Sequence, residues 1–454
     1  MLRSPSFSWL SLGDRRVGFV LCAVLFGMLC TMLAFAIGAG KYDTAAALFV
    51  LALLPLLLVV AMQRPYVFPY AAYVLVVPFD NIVFINGVGT LAKLLAAASA
   101  LFILIHAARS RRLSSPPLAV VLWLAYLAWS IFSLLWAANL VDAPTVVIQT
   151  ATIVLFYALV AVAPVEDRDL LVICGTIVAG GILATAFGTY LVHSSPSVTD
   201  VEGRAMIGFA GRKLDPNDFG NQLLAPLALA LACLLNARDP RVVIASLAVV
   251  GVLISGLLLT ISREALLAAI IVIVVSIWFS RRRFLGFAIS IPTVIAIPVL
   301  FPSILQRMAA VQETGGAGRT SIWAVGAQAF AEHPWLGWGI GSWSAAYNHA
   351  YISVYQSHPM GWDVPPHSTL LRAAMELGVI GLVLCAAAYC AVFLQLRGIG
   401  QGDRIYPVKI ALLASLCGLG FISFFIDVGS VKYVWVVLGA VAQLRTVALI
   451  REVR

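Results

Sequence analysis

Long apolar runs, separated by short polar or Gly/Pro-rich stretches, repeat along most of the chain. Many of these runs hold about 17–25 residues, enough for a helix to cross a hydrocarbon core of roughly 30 Å. They lie near residues 17–38, 44–63, 66–84, 90–107, 117–138, 145–163, 170–192, 220–236, 242–261, 264–280, 284–302, 367–396, 405–425 and 431–449. This pattern predicts an all-α polytopic membrane protein with about 14 transmembrane helices, within a range of about 12–14.

Composition supports a membrane protein and excludes a large soluble catalytic domain. The 454 residues are 62% hydrophobic and 11% charged, whereas soluble domains average about 25% charged residues. Arginines precede the first run, as in a signal peptide, but that run is too long for one, and we interpret it as a retained helix. The 7 cysteines fall in apolar runs without C-x-x-C spacing, which favours small core residues over disulfides or metal ligands.

The charged residues predict the orientation in the membrane. Most of the 29 Lys and Arg residues fall in loops on one side, including the clusters at 109–112 and 281–283. The positive-inside rule makes that side cytoplasmic, and an even number of helices places both termini there. The net charge of +9 then reflects topology and attraction to membrane lipids. No nucleic-acid partner is expected.

Two longer polar segments divide the chain and fall on the outer side, which is periplasmic in a Gram-negative host. The predicted organisation is transmembrane helices in 1–192, a loop at 193–219, transmembrane helices in 220–302, a large loop at 303–366 and transmembrane helices in 367–454. Six basic residues lie in or beside these loops: Arg204, Arg212, Lys213, Arg263, Arg307 and Arg319. Cations on this disfavoured side indicate an anionic ligand. The alternative is that single members pair with local acids such as Glu202, Asp215 or Glu264.

The large loop contains a short helix and a glycine-rich string. Helical spacing of small and apolar residues from Arg319 to Phe330, followed by Pro334, predicts a short amphipathic helix. Arg319 lies at its N-terminal edge, where backbone N–H groups add to an anion site. The string that follows is Trp335-Leu336-Gly337-Trp338-Gly339-Ile340-Gly341-Ser342-Trp343. With no preceding strand and no phosphate-loop lysine it is not a nucleotide loop, and its tryptophans suit sugar stacking or the interfacial belt.

Pro366-His367-Ser368 closes the large loop and places His367 at the outer mouth of a membrane helix. An imidazole with a pKa near ~6.5 can accept a proton from a sugar hydroxyl. The alternative role of a single histidine is a local hydrogen bond.

Arg372 and Glu376, four residues apart, are expected to neutralise each other. We interpret Asp215 to Asp218 as a helix cap, Ser262-Arg263-Glu264 as a hairpin turn and Asp167-Arg168-Asp169 as a solvated turn.

Several of these segments together resemble the O-antigen ligase and polymerase superfamily of bacterial inner-membrane enzymes. The most specific is His367-Ser368, then nine residues, then Gly378-x-x-Gly381. Further elements are Arg319 with Trp323, His333-Pro334 with Gly337-x-Gly339, Arg204 with Asp215-Pro216-Asn217, and Ser262-Arg263. The resemblance covers roughly residues 200–385.

The resemblance implies a membrane glycosyltransferase of the GT-C type. Such enzymes take a glycan from undecaprenyl diphosphate on the periplasmic face and pass it to an acceptor such as lipid A-core or another glycan. The family's essential histidine corresponds to His367, and its diphosphate-binding arginines correspond to Arg319 and Arg263. We further expect substrate contacts from Arg204, Arg212, Lys213, Trp323, Trp338 and Ser368.

The sequence favours transfer without a metal or other cofactor. Arginines suit bidentate phosphate binding, whereas the outward-facing acids are scattered at Asp43, Asp80, Asp142, Glu313 and Asp427. Direct displacement would invert the anomeric centre. The histidine pattern favours a ligase acting on lipid A-core, and an O-antigen or exopolysaccharide polymerase with the same donor is the alternative. A lipid-linked glycan flippase fits less well because no internal repeat is evident, and a metal-dependent transferase using Asp43 is a third choice.

Overall fold

The computed structural model describes residues 54–80, 84–85, 89–110, 113–194, 207–209, 212–284, 286–288, 291, 319–354 and 362–453. Its helices are α1 (Leu54–Gln63), α2 (Tyr66–Phe79), α3 (Leu91–Ser110), α4 (Leu118–Phe132), α5 (Ala143–Val162), α6 (Asp167–Ser194), α7 (Pro216–Gln222), α8 (Leu224–Asn236), α9 (Pro240–Thr260), α10 (Arg263–Trp278), α11 (Arg319–Glu332), α12 (Trp343–Val354), α13 (Thr369–Leu394), α14 (Tyr406–Ile422) and α15 (Lys432–Val453). Two antiparallel hairpins pair β1 (Phe84–Ile85) with β2 (Gly89–Thr90) and β3 (Ile207–Phe209) with β4 (Arg212–Leu214).

The architecture confirms an all-α polytopic membrane protein. Within the described residues, 8 helices are long and apolar enough to cross a membrane. They are α3, α4 with the turn that follows it, α5, α6, α7 joined to α8, α9, α13 and α15. The predicted run 17–38, the first part of the run 44–63 and most of the run 284–302 lie outside the described residues. The total of 14 helices stays a prediction.

Burial separates inner helices from helices that face lipid. α8 and α15 are buried along most of their length, whereas α3, α5 and α9 carry exposed apolar side chains such as Leu101, Ile148 and Ile244. Small residues let the inner helices approach closely: a Cβ atom on Gly256 of α9 would lie 2.6 Å from Oγ1 of Thr185 in α6. Close backbone contact at small residues is a common way for helices to associate in membranes.

Contacts between helix ends agree with the predicted division of loops into two sides. At one end, Arg451 pairs with Asp167, and Arg281 donates to the Gln401 carbonyl at 3.1 Å. At the other end, Lys432 lies 2.6 Å from Asp80. Each contact joins two segments predicted to lie on the same side. Asp167-Arg168-Asp169 forms the first turn of α6 rather than an isolated turn.

Candidate active site

Arg319 begins α11, as the amphipathic pattern predicts, and is held by a buried acid. Its Nη1 atom lies 2.7 Å from Oε2 of Glu264, whose side chain is 5% exposed against 19% for Arg319. The guanidinium also lies 6.0 Å from the ring centroid of Phe425. Trp323, one turn further along α11, contacts the same ring at 5.9 Å. The acid is therefore more deeply buried than the arginine, which is partly exposed.

The turn between α9 and α10 positions Glu264. Ile261 adopts a left-handed conformation with φ of 48°, and the Ser262 hydroxyl then accepts a hydrogen bond from the Ala265 N–H at 3.3 Å. This cap starts α10 and places Glu264 in its first turn, where the helix dipole favours a carboxylate. A turn is present where it was expected at Ser262-Arg263-Glu264, but it is formed by Ile261 and Ser262, and the other two residues already belong to α10. Arg263 is the first residue of α10 and is half-buried beside Glu264.

His367 lies immediately before α13 and is fixed by the residues that follow it. The Ser368 hydroxyl caps α13 by accepting from the Leu371 N–H at 3.4 Å. The Thr369 N–H donates to the Ser423 carbonyl at 2.9 Å, and its hydroxyl donates to the Ile426 carbonyl at 3.1 Å. These bonds attach the start of α13 to the segment 423–431. Ser368, an expected substrate contact, is buried and serves as the cap of α13.

The electrostatic surroundings of His367 connect it to Arg319. Burial of the half-buried ring lowers the pKa of His367, and the Arg319 guanidinium lowers it further, while the Asp215 carboxylate acts in the opposite direction. Charges influence a pKa in this way only over short distances. Contacts support this proximity, because the segment 423–426 packs against Arg319 and also bonds to Thr369, two residues after His367. The fold therefore brings His367 and Arg319 into one neighbourhood, with Asp215 close enough to influence the histidine.

Asp215 joins this neighbourhood as the cap of α7. Its Oδ1 atom accepts a hydrogen bond from the Asn217 N–H at 2.8 Å, which confirms the predicted cap. Strand β4 ends directly before it and contains Arg212 and Lys213, two of the expected substrate contacts. These two basic residues therefore lie within three positions of Asp215 in the sequence. Arg204 and Arg307 lie outside the described residues.

The glycine-rich string between α11 and α12 inserts into a break in α13. Gly378 is non-helical, with φ of 67° and ψ of −168°, and interrupts α13 there. The loop supplies substitute hydrogen bonds: Trp338 N–H to the Met375 carbonyl at 3.0 Å, Gly339 N–H to the Glu376 carbonyl at 2.8 Å, and Val379 N–H to the Pro334 carbonyl at 2.8 Å. Buried backbone groups need such partners, so loop and helix stabilise each other.

Close backbone approach explains two of the glycines. A Cβ atom on Gly378 would overlap the Trp335 carbonyl oxygen, and one on Gly339 would overlap Cα of Ala137 in the turn after α4. That turn also bonds to the loop, because Ala138 N–H donates to the Trp338 carbonyl at 3.0 Å. The predicted tight backbone is therefore observed. It joins α4 and α13 and packs against both.

Trp338, an expected substrate contact, is engaged within the protein. Its indole N–H donates to the Ala329 carbonyl at 2.7 Å, and its ring lies between His333 and His349, with centroid distances of 4.6 and 5.1 Å. The ring is half-buried. In this structure Trp338 connects α11 to α12, a helix that the sequence pattern did not predict.

Arg372 and Glu376 form the expected pair and recruit a further acid. Arg372 Nε lies 3.2 Å from Glu376 Oε1, and its Nη1 lies 2.6 Å from Oδ2 of Asp427. Glu376 Oε1 also accepts from the Trp343 N–H at 3.2 Å. In the sequence Asp427 is one of the scattered acids, with no partner indicated by its position. The fold instead uses it to bind α13 to the segment 423–431.

We expect the substitution Gly378→Ala to destabilise the protein strongly. Alanine would have to adopt the left-handed conformation, which costs ~1–3 kcal/mol, and its methyl group would displace the loop. Thermal unfolding of detergent-solubilised protein measures the effect. Gly251→Ala in α9 is the matched control, because no atom lies within 4 Å of a Cβ atom there. Equal transition temperatures for the two variants would contradict the proposed fit of loop and helix.

Within the described residues, no group of three or more His, Cys, Asp or Glu side chains is placed to hold a metal ion. The acid that sequence reasoning did not assign to the site is Glu264. The sequence indicates Glu264 only as one of several acids that could neutralise a nearby cation. The sequence feature that could have indicated Glu264 as a site residue is its position in the first helical turn after the Ser262 cap, next to the candidate residue Arg263.

Comparison with known proteins identifies one matching segment. Residues 247–386 match a family model described as O-antigen ligase. The segment includes Glu264, Arg319, His367 and Gly378, so it contains the ion pair, the histidine and the broken helix. A comparison with curated proteins found none that matches the chain.

Proposed function

We propose that this protein is a glycosyltransferase of the periplasmic face of a bacterial inner membrane, because residues 247–386 match a family model described as O-antigen ligase. It transfers a glycan from undecaprenyl diphosphate to an acceptor hydroxyl, and lipid A-core is the acceptor we favour. Both termini lie in the cytoplasm. The observation that carries the proposal is the neighbourhood of Arg319, paired with buried Glu264, and half-buried His367.

Arg319 stabilises the leaving diphosphate. As the bond between the sugar and the diphosphate breaks, negative charge develops on the leaving oxygen, and fixed donors aimed at that oxygen lower the barrier. A guanidinium has five N–H donors, and the contact with Glu264 engages Nη1. The remaining donors suit bidentate binding of phosphate oxygens. Arg263, at the start of α10, contributes a second cation to the same diphosphate.

His367 accepts the proton of the acceptor hydroxyl. Its lowered pKa keeps the imidazole neutral near neutral pH, which is the form that acts as a base. The acceptor oxygen forms a bond to the anomeric carbon while the bond to the diphosphate breaks, and the electron pair stays on the phosphate oxygen. The proton passes from the imidazole to solvent. Displacement from the face opposite the diphosphate inverts the anomeric centre.

The activity should persist at more acidic pH than an ordinary histidine allows. Because the pKa of His367 is lowered from ~6.5, the neutral base should be lost only as the pH falls below this lowered value. Replacing Asp215 with Asn removes the charge that raises the pKa and retains a good helix cap. The acid limb of kcat/KM should therefore move to still lower pH in Asp215→Asn. Movement to higher pH would contradict the proposed electrostatics.

Reconstitution with purified components tests the function directly. The protein in liposomes receives an undecaprenyl diphosphate-linked oligosaccharide together with core lipid, or with further donor alone. Glycosylated core lipid supports the ligase, and chains longer than the donor's glycan support the polymerase, which uses the same donor chemistry. The control is a known transferase of this class that is active in parallel. If monodisperse protein with an intact active site then forms neither product, the proposal is rejected.

A further inference from the structure

A groove on the lipid-facing side of the protein lies between α2, α3, α5 and α15. Its volume is about 790 Å³. The walls are mainly apolar and include Ala97 and Leu104 of α3, Leu155 of α5 and Val436 of α15. Ala97, Leu104 and Leu155 are exposed, so within the described part of the chain the groove is open on the side that faces the hydrocarbon core. An open apolar groove in a membrane is filled by hydrocarbon chains.

One end of the groove is polar and positively charged. Lys93, Lys432, Asp80, Gln149 and Ser430 line this end. Lys432 Nζ lies 2.6 Å from Oδ2 of Asp80, whose Oδ1 accepts from the Thr90 hydroxyl at 2.7 Å. Lys93 is exposed, and among the described residues it has no ion-pair partner. The chain between Asp80 and Gly89 contains no Asp or Glu. Counted over its described lining residues, the groove mouth therefore carries one more positive than negative charge.

The position of these lysines argues for an anionic ligand. Lys93 lies at the start of α3, whose other end carries Arg109, and Lys432 starts α15, whose other end carries Arg451. By the positive-inside rule both lysines lie on the outer side, where basic residues are disfavoured. A Lys at the membrane surface attracts an anionic lipid headgroup. Binding of such a headgroup would explain why a lysine without an acid partner lies on this side.

We propose that this groove binds an anionic phospholipid, with an acyl chain along α3 and α5 and its phosphate between Lys93 and Lys432. Gln149, exposed on α5, lies at the same end and can donate to the headgroup. Lysine binds phosphate as a point charge and imposes little geometry, which suits a structural lipid. The bound lipid fills the space between α3, α5 and α15 and stabilises their packing.

The groove is distinct from the candidate active site. Among its described lining residues there is no arginine and no histidine. The segment 423–431 connects the candidate active site to the groove. It bonds to Thr369, two residues after His367, through Ile426 and Val428. Lys432 of the groove follows it directly in the sequence. The groove therefore offers none of the groups proposed for transfer. This inference does not depend on the proposed function.

Native mass spectrometry and lipid exchange in nanodiscs test the proposal with the full chain. Phosphatidylglycerol is the probe, and phosphatidylethanolamine, which is zwitterionic, is the comparison lipid. We expect wild-type protein to retain phosphatidylglycerol preferentially. Lys93→Gln should weaken that binding about fivefold. Ala97→Trp should abolish binding because the added indole obstructs the place of the acyl chain in the groove. Leu101→Trp, on an exposed position of the same helix outside the groove, should bind as the wild type does.

Other results would overturn the proposal. Wild-type binding by both Lys93→Gln and Ala97→Trp would show that the lipid lies elsewhere, and size-exclusion chromatography identifies variants that have lost their fold. Displacement of phosphatidylglycerol by equimolar undecaprenyl phosphate would assign the groove to a polyprenyl lipid. Cross-linking of Ala97→Cys to Cys22 or Cys30 would assign it to the chain's own first apolar segment.

Discussion

His367→Ala should lose nearly all transfer activity while the protein remains folded in the membrane. Removal of a general base typically costs ~100–10,000-fold in rate. His367 also has φ of 46°, a conformation that Asn tolerates better than Ala. His367→Asn is therefore the sharper variant, because it removes the base with less disturbance of the backbone. Initial rates of glycan transfer in liposomes, at saturating donor, measure the loss.

The control for this prediction is a second histidine of the same region. His349 is 63% exposed and lies 3.3 Å from Glu332. Solvent-exposed contacts of this kind contribute little to stability, so His349→Ala should keep most of the activity. Substantial product from His367→Asn, or an equal loss in His349→Ala, would show that His367 is not the base. A loss of protein from the membrane in His367→Asn would instead indicate a structural role.

Arg319→Lys should reduce the rate of transfer by ~100–1,000-fold, the range found when one stabilising donor of a developing charge is removed. Lysine keeps the charge that faces Glu264 but lacks the planar fork that binds two phosphate oxygens. Most of the loss should appear in kcat. Arg281→Lys is the matched control, since Arg281 lies at the opposite end of α10 and donates to the Gln401 carbonyl.

The partner acid requires a second variant. Arg319→Ala leaves Glu264 buried without its cation, which is strongly destabilising. The double substitution Arg319→Ala with Glu264→Gln removes both charges, and should recover the folded protein without recovering activity. If the double variant transfers glycan at the wild-type rate, neither residue stabilises the leaving group. If the single variant Arg319→Lys transfers glycan at the wild-type rate, the planar fork of the guanidinium is unimportant for transfer.

The membrane helices were predictable because their signal is local. A run near 145–163 corresponds to α5 at Ala143–Val162, and one near 242–261 corresponds to α9 at Pro240–Thr260. Each run is mostly apolar and free of charged residues, and polar or proline residues mark its ends. α12 was missed because it mixes aromatic, polar and small residues. Its stability comes from packing of Trp343 and Tyr347 rather than from an apolar run.

The candidate site was predictable in its residue types but not in its pairings. A cation on the disfavoured side indicates a ligand or a local acid, and the sequence does not distinguish between them. The fold gives Arg319 an acid 55 positions earlier in the chain, at 2.7 Å. The break in α13 was also hidden, since Gly378 lies in a run that reads as one continuous helix. Only the loop that fills the gap, from another part of the chain, makes the break stable.

The fit of the glycine loop into α13 affects how mutational scans of this protein should be interpreted. Gly339 and Gly378 leave no room for a methyl group, yet neither contributes a side chain that could touch a sugar or a phosphate. A screen for missing surface polysaccharide would score both as strongly as His367. Genetic essentiality alone therefore cannot delimit the catalytic centre, and each inactive variant needs a measurement of protein abundance in the membrane beside it.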